Sequence, residues 1–197
     1  MPRKATVQRK TRETNIKISL NLDGTGNSKI NTSIPFVDHM LALMSKHGHI
    51  DMDVRARGDI EIDYHHLIED IGIVFGDAIK KALGQKLMIR RYGEALTPMD
   101  ESLVQVAIDL SGRPFLVYNV KLPKGNAMIR KLELNLFEDF FRALSNHAGM
   151  NLHIIYYYGR DPHHIFEAIF KGLGRALRAA VETHPNAKGV PSTKGTL

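Results

Sequence analysis

Residues 65–83 read HHLIEDIGIVFGDAIKKAL and residues 163–181 read HHIFEAIFKGLGRALRAAV, so the motif His-His-x-x-Glu opens both stretches. The two stretches lie 98 positions apart. Each carries apolar residues at the three-to-four-residue spacing of an amphipathic helix. Because an unusual triplet recurs together with a helical pattern, we interpret the pair as an internal repeat rather than a chance similarity between two helices.

A second pair of stretches precedes the first pair and supports the same repeat. Residues 38–54 read DHMLALMSKHGHIDMDV, and residues 138–154 read EDFFRALSNHAGMNLHI, at an offset of 100 positions. The two offsets differ by two residues, which indicates a short deletion between the stretches. Identical residues at matched positions include Ser45 with Ser145 and His47 with His147.

The sequence of 197 residues predicts one domain over 1–197, built from two repeats near 10–95 and 96–190. In the first repeat, hydropathy patterns predict strands over 16–22 and 30–34, a helix over 36–47, strands over 50–56 and 59–63, and the first His-rich helix. In the second repeat they predict strands over 104–110 and 115–120, a helix over 135–147, a strand over 150–157, and the second His-rich helix. The fold class is therefore α+β, a tandem duplication in which each half is an antiparallel sheet covered on one face by two helices.

The composition excludes several classes of protein. The chain has no cysteine, which excludes a disulfide framework, a thiolate metal site and a cysteine nucleophile. No apolar run approaches the roughly 20 residues that cross a bilayer, and the basic N-terminus lacks the apolar region of a secretory signal. We therefore expect a cytoplasmic protein. The net charge of +6 fits a nucleic-acid binder or an enzyme with an anionic substrate, and the dispersed basic residues favour the enzyme.

The repeated motif has the residue types and spacing of a metal site. In a helix, its first histidine and its glutamate lie four positions apart on one face, where they can hold one ion. The second histidine points about 100° around the helix and could reach a second ion. Imidazole and carboxylate ligands favour Mn, Fe, Co, Ni or Zn over Ca or Mg. The alternative is a pair of histidines that caps the helix or lies on its surface. The two sets are His65, His66 and Glu69, and His163, His164 and Glu167.

Four further positions extend the candidate site. His39 follows Asp38, and its counterpart in the second repeat is Asp139, which is also a competent ligand. His47 and His147 lie eight residues after these positions, roughly 12 Å along a helix. That separation makes a shared ion less favourable, and the two histidines fit substrate contacts and core positions equally well.

Candidate anion-binding groups lie in turn-like segments and near the C-terminus. Arg91 precedes Tyr92-Gly93, and Arg113 precedes Pro114. The tail over 191–195, Pro-Ser-Thr-Lys-Gly, offers hydroxyls, an ammonium group and backbone N–H groups that could cover an anionic substrate. A disordered basic tail is the alternative.

With these motifs in place, the chain resembles the imidazoleglycerol-phosphate dehydratase family. The resemblance runs from about residue 5 to the C-terminus, and its most specific elements are the doubled His-His-x-x-Glu and the terminal Pro-Ser-Thr-Lys-Gly. The matching segments are 12–14, 38–41, 47–48, 63–72, 91–93, 99–101, 111–114, 163–171 and 191–195.

The resemblance implies two Mn²⁺ ions in each active site. One ion would be held by His39, His66, His163 and Glu167, and the other by His65, Glu69, His164 and Asp139. It implies catalytic roles for the carboxylates of Glu13, Glu69 and Glu167. It implies substrate contacts at Glu13, His39, His47, Arg91, Arg113, Lys171, Ser192, Thr193 and Lys194.

The implied reaction removes water from imidazole glycerol phosphate and gives imidazole acetol phosphate, a step of histidine biosynthesis. Lewis-acid ions on the ring nitrogens would favour an anionic ring that expels the neighbouring hydroxyl, and a base must take the carbon proton. The family also implies a homo-oligomer of twenty-four subunits with shared active sites. The net positive charge would attract the phosphorylated substrate.

Three other functions fit parts of the pattern. A metal-storage or metal-sensing scaffold would use the same ligands without needing Glu13 or the basic residues. A nucleic-acid binder would show salt-dependent affinity, and we expect neither nucleic acid nor a membrane as a partner. A two-metal hydrolase would need an open position for water between the ions.

Overall fold

The computed structural model describes residues 3–123, 128–186 and 188–197, so residues 124–127 and 187 of the predicted second repeat lie outside it. The described strands are β1 (Lys4–Lys10), β2 (Thr14–Asn21), β3 (Ser28–Asn31), β4 (Asp51–Gly58), β5 (Tyr92–Met99), β6 (Ser102–Asp109), β7 (Phe115–Asn119), β8 (Met128–Ile129), β9 (Leu132–Glu133) and β10 (Asn151–Tyr158). The described helices are α1 (Pro35–Gly48), α2 (His65–Leu83), α3 (Leu136–Ala148) and α4 (Pro162–Val181). None of these helices is both long and apolar enough to span a bilayer.

The strands form two four-stranded sheets and one small hairpin. Sheet I has the order β1-β2-β4-β3, sheet II has the order β5-β6-β10-β7, and β8 pairs with β9. In both sheets three strands pair antiparallel, while the edge strand β3 or β7 runs parallel to its neighbour. The predicted α+β class and the repeated half-domain are confirmed, with each antiparallel sheet extended by one parallel edge strand.

Two local predictions in the first repeat are wrong. The strand predicted over 30–34 does not return against the preceding strand, because β4 occupies the place beside β2 and β3 pairs parallel with β4. The carboxylate of Asp51 holds the intervening loop by accepting the backbone N–H groups of Thr25 and Asn27. The strand predicted over 59–63 is a turn, in which the N–H of Ile62 donates to the carbonyl of Asp59.

The short strands β8 and β9 were not predicted, and in the four-stranded sheets two more strands escaped prediction because their inward faces lack large apolar side chains. Only Ala5 is fully buried in β1, which lies at the edge of sheet I. The buried positions of β5 are Gly93, Ala95 and Thr97, and this strand packs against α4. Small residues let the helix approach the strand closely, and they also remove the alternation that marks a half-buried strand.

The helices lie between the two sheets. Helices α1 and α2 cover sheet I, α3 and α4 cover sheet II, and the helices then pack as the pairs α1–α4 and α2–α3. The first helix of each repeat therefore meets the second helix of the other, as a pseudo-twofold axis requires. A cluster of buried aromatic rings fills the centre, formed by Phe137, Phe140, Phe141, Phe166 and Phe170. Burial of these rings contributes to the apolar stabilisation of the core.

Two matched glycines set the distance between the paired helices. A Cβ atom added to Gly76 of α2 would lie 2.9 Å from the carbonyl oxygen of Leu144 in α3. A Cβ added to Gly174 of α4 would collide with the carbonyl oxygen of Met44 in α1. Since both glycines and both carbonyl-bearing residues are repeat counterparts, the close contact is duplicated with the fold.

Matched aspartates begin both His-rich helices. The carboxylate of Asp63 accepts the N–H of His65, and that of Asp161 accepts the N–H of His163, each at 2.8 Å. These bonds satisfy first-turn donors that have no partner inside the helix. The first histidine of each motif is thereby placed at the very start of its helix.

Candidate active site

The imidazoles of His39 and His163 meet the carboxylate of Glu167 where α1 packs on α4. Nε2 of His39 lies 2.8 Å from Oε1 of Glu167, and Nε2 of His163 lies 3.2 Å from the same oxygen. The possible ligand atoms of these three residues, here called cluster A, all lie within 4.8 Å of one another. Two imidazole nitrogens and one carboxylate form a donor set that fits a divalent transition-metal ion.

Lys171 engages the other oxygen of the Glu167 carboxylate. Its Nζ lies 2.6 Å from Oε2 of Glu167 and 3.1 Å from Sδ of Met99. Burial raises the pKa of Glu167, but hydrogen bonds from Lys171 and His39 outweigh burial and lower that pKa to about 2. Glu167 is therefore an anionic ligand at neutral pH, with both oxygens occupied.

The repeat counterparts of cluster A lie around His65. Nε2 of His65 is 3.8 Å from Oε2 of Glu69, and Nδ1 of His65 is 3.8 Å from Oδ2 of Asp139. We call these three residues cluster B. Its two carboxylates approach different nitrogens of one imidazole, so cluster B is more open than cluster A. Six of the eight predicted metal ligands are thus brought together as two groups of three.

The remaining two predicted ligands contact acids instead. Nδ1 of His66 lies 3.1 Å from Oδ2 of Asp59, and Nδ1 of His164 lies 2.8 Å from Oε2 of Glu101. Each hydrogen bond to a carboxylate raises the pKa of its imidazole. With Nδ1 engaged, Nε2 of each ring is the nitrogen that could bind a metal ion, although Nε2 of His164 also lies 3.8 Å from Oδ2 of the exposed Asp100.

Sequence reasoning missed Asp59 and Glu101 as site residues. Glu101 accepts the backbone N–H groups of Arg160 and Asp161 as well as contacting His164, so it fixes the segment before α4. One oxygen of Asp59 is buried without a hydrogen-bond partner among the described residues. A signal for Glu101 was present, because it lies in the β5–β6 turn, which is the repeat counterpart of the β1–β2 turn that carries Glu13.

Glu13 lies at the His66 end of sheet I. It lines an open pocket together with Gly58 and Asp59, and its negative charge contributes to the raised pKa of His66. Within residues 3–123, 128–186 and 188–197, only the backbone N–H of Glu13 makes a hydrogen bond, to the hydroxyl of Thr11. Its carboxylate remains available to a ligand.

The matched histidines near the ends of α1 and α3 have opposite charged neighbours. Burial and the positive charges of Lys171 and Arg175 lower the pKa of His47. Nδ1 of His147 instead lies 3.0 Å from Oδ1 of Asp77, the repeat counterpart of Arg175. His47 therefore stands beside cluster A in a cationic environment, which suits an anionic substrate.

The predicted anion-binding residue Arg91 is tied to its own chain. Nε and Nη2 of Arg91 bond the two oxygens of Asp109 at 2.6 and 3.1 Å, and Nη1 donates to the carbonyl of Pro191 at 3.0 Å. These contacts hold the C-terminal tail against the start of β5. Arg113 and Lys194 are exposed, and Ser192 accepts the backbone N–H of Lys194.

The candidate anion-binding residues and the histidines lie at opposite ends of sheet II. Arg91 precedes β5, whereas Glu101 and its partner His164 follow the other end of that eight-residue strand. Such a strand spans about 27 Å. The three residues that follow Pro191, ending at Lys194, extend at most about 11 Å from it. In one chain, therefore, the tail does not reach the metal ligands.

Comparisons with known proteins agree on one family. A family model described as imidazoleglycerol-phosphate dehydratase matches residues 32–177. The imidazoleglycerol-phosphate dehydratase of Geobacter metallireducens is 53% identical over 197 residues, covering 100% of both chains. Solved structures of the dehydratase from Staphylococcus aureus and Pyrococcus furiosus match with TM-scores of 0.82 and 0.83 at 37% and 35% identity. They cover 92% and 97% of this chain, and 99% and 100% of their own. With full-length similarity, the same fold and the doubled histidine motif, the chain belongs to the imidazoleglycerol-phosphate dehydratase family of hydro-lyases.

Proposed function

We propose that this chain removes water from imidazole glycerol phosphate to give imidazole acetol phosphate, as a cytoplasmic Mn²⁺-dependent enzyme of histidine biosynthesis. The observation that carries the metal-dependent part is cluster A, in which His39, His163 and Glu167 present two imidazoles and one carboxylate to a single point. When bound, the metal ions would act as Lewis acids toward the imidazole ring of the substrate.

Each active site would take two ions and draw its ligands from two subunits. Cluster A needs a fourth ligand, and His66 has a free Nε2 because Asp59 holds its Nδ1. Cluster B likewise needs a fourth ligand, and His164 can offer its Nε2 because Glu101 holds its Nδ1. In each motif the two neighbouring histidines then serve different ions, so cluster A of one subunit would face cluster B of another.

The outer faces of the two sheets support a homo-oligomer. On sheet II the exposed face carries Tyr92, Leu96, Phe115 and Tyr157, each more than half exposed. The exposed face of sheet I is polar, with Lys17, Ser19, Asn21, Asp53 and Arg55 among its residues. Exposed apolar patches mark interaction surfaces. We therefore propose that sheet II packs against neighbouring subunits, in an assembly of twenty-four by the family resemblance.

The same arrangement accounts for the distant anion-binding residues. Arg113, Ser192, Thr193 and Lys194 would reach the substrate phosphate of a site formed by other subunits. Arg91 would position the tail through Pro191 and Asp109 while its remaining N–H groups face the phosphate. Lys171, Arg175 and His47 supply positive charge on the cluster A side.

Glu13 is the carboxylate best placed to take the carbon proton. Both oxygens of Glu167 are engaged, by His39 and His163 on one side and Lys171 on the other. Glu69 lies beside His65 in cluster B and serves as a ligand. The Glu13 carboxylate, free of protein hydrogen bonds in the described part of the chain, can move to the substrate and act as a general base.

The test is dehydration of imidazole glycerol phosphate by protein stripped of metal and then supplied with Mn²⁺. Turnover should vanish on stripping and return with about two ions per chain. His163→Ala should abolish turnover, while the control Lys17→Ala, on the polar outer face of sheet I, should retain it. A protein that binds two ions and yields no imidazole acetol phosphate would contradict the proposal and favour a metal-storage scaffold.

A further inference from the structure

The two clusters differ in the charges around them although the repeat makes them equivalent in position. Four residues after Glu167, Lys171 donates to its carboxylate at 2.6 Å. The residue at the same place after Glu69 is Ile73. Arg175 of α4 likewise corresponds to Asp77 of α2, and His39 corresponds to Asp139. Cluster A thus has one carboxylate against two cationic side chains, whereas the equivalent positions around cluster B hold three carboxylates and no cation.

This difference acts directly on a divalent cation. Attraction to carboxylates and repulsion from nearby ammonium and guanidinium groups both scale with the charge of the ion. Lys171 also occupies Oε2 of Glu167, so an ion in cluster A meets only the oxygen already shared by His39 and His163. An ion in cluster B would be attracted by two carboxylates, Glu69 and Asp139, which approach different nitrogens of His65. Asp77 and His147 lie farther along the same helix pair.

His66 and His164, the proposed fourth ligands, do not remove the difference in charge between the two clusters. His66 comes with Asp59, and His164 comes with Glu101, so each brings a carboxylate at hydrogen-bond distance. Both clusters therefore gain similar partners. The difference in charge between Ile73, Asp77 and Asp139 around cluster B and Lys171, Arg175 and His39 around cluster A persists.

We propose that the two metal sites have unequal affinities and load in order, cluster B before cluster A, with Lys171 as the main cause of the weaker site. Lys171 is thereby a residue that limits metal affinity while it holds Glu167 in place. This inference rests on the metal-binding part of the proposed function and adds an order of loading to it.

The experiment counts bound Mn²⁺ per chain in stripped full-length protein, equilibrated with a series of buffered free Mn²⁺ concentrations. Free Mn²⁺ is read by its electron paramagnetic resonance signal, and bound metal by elemental analysis. We expect two steps of one ion each, separated by at least about tenfold in free Mn²⁺, the scale of a modest change in local charge. A single step of two ions would overturn the inference.

Substitutions show which cluster is responsible for each Mn²⁺-binding step. Lys171→Met should move the second step about tenfold toward lower free Mn²⁺ and leave the first in place, and Arg175→Met should move it in the same direction. Asp139→Asn should weaken the first step. Lys80→Met, at an exposed position in the last turn of α2, is the matched control and should leave both steps unchanged. A second step that ignores both Lys171→Met and Arg175→Met would overturn the inference.

Binding and turnover separate this inference from the proposed function. Two ordered steps in a protein that does not dehydrate imidazole glycerol phosphate would support the loading order and overturn the function. Efficient dehydration with both ions bound in one step would do the reverse. A chain that binds no Mn²⁺ at all would overturn both the order and the metal dependence.

Discussion

At the scale of single residues, the carboxylates of Asp59 and Glu101 decide which nitrogen each second histidine presents. Each acid contacts Nδ1 of its partner, His66 or His164, so Nε2 is the nitrogen that each ring can offer to a metal ion. A carboxylate in this position fixes the tautomer and orientation of a ligating imidazole and raises its basicity. Asp59 and Glu101 would therefore act as positioning residues in the proposed metal site.

Glu101→Gln should weaken binding of one Mn²⁺ ion by about 10–100-fold, because the amide has no negative charge to stabilise the oriented imidazole. Asp59→Asn should do the same to the other ion. Mn²⁺ titration followed by electron paramagnetic resonance checks both. Asp53→Asn, a change on the polar outer face of sheet I, is the control. If Glu101→Gln reduced turnover with both affinities intact, the positioning role would be wrong.

Asp51 provides a pH-dependent contribution to stability outside the site. Hydrogen bonds from the N–H groups of Thr25 and Asn27 lower the pKa of its carboxyl. A lowered folded-state pKa means that the contribution is present above the unfolded value of about 3.9 and is lost as pH falls through the folded pKa. Asp51→Asn should therefore cost about 1 kcal/mol at pH 7, since the carboxylate is partly solvated. Urea unfolding should show the difference shrinking below pH 4; a constant difference would contradict the assignment.

At the scale of elements, the two helix pairs depend on glycine at matched positions. Gly174 faces the carbonyl of Met44, and Gly76 faces that of Leu144. The backbone cannot move away from an added methyl group without separating the helices. The helix pairs carry both clusters, so this spacing also sets the distance between His39 and His163.

Gly174→Ala should lower the free energy of unfolding by about 1–3 kcal/mol, the usual cost of overpacking a core. This loss of stability is the opposite of the usual effect, because Gly→Ala inside a helix otherwise raises the free energy of unfolding by roughly 0.5–1 kcal/mol. Gly172→Ala is the control in the same helix, since its Cβ would meet the tips of Val106 and Thr97 at 3.0 and 3.1 Å rather than a carbonyl. Denaturant unfolding compares them; equal stability of the two variants would refute the close-contact argument.

At the scale of the whole molecule, the proposed functional groups lie far apart along sheet II, so an active site that uses all of them would need more than one chain. Arg91 and the tail lie at one end, while His164 and Glu101 lie at the other. The apolar outer face of sheet II offers the surface for that association. Function would then depend on assembly as much as on the fold of one chain.

Two inactive variants should restore activity when mixed in one oligomer. His163→Ala damages cluster A and His65→Ala damages cluster B, so a site built from cluster A of one variant and cluster B of the other is complete. Random co-assembly in equal amounts should regain about a quarter of wild-type turnover, the fraction expected at heterologous interfaces. Co-expressed, differently tagged chains provide the measurement. The double variant mixed with itself is the control, and no recovery in verified mixed oligomers would show that each site lies within one chain.

Much of the fold follows from local pattern. The helical period identified α1 to α4, and strict alternation identified β2, β4, β6 and β10, because both patterns are set by residues a few positions apart. The edge strands were placed less well. Whether β3 pairs with β2 or β4 depends on where a helix and a loop carry the chain, and β1 and β5 bury too few large apolar residues to show a period.

The sequence by itself determined the duplication, the residue types of the metal site and the i,i+4 pairs His65–Glu69 and His163–Glu167, since these depend on spacing within one helix. Local spacing could not show that His39 joins the second pair and Asp139 the first. The family resemblance implied both groupings, and the tertiary structure brings these residues together across helices of different repeats. Only the tertiary structure decided that His66 and His164 contact acids from loops far along the chain. Spacing along a helix is a local property, whereas the choice of partner for each side chain is made by the packing of the two repeats against each other.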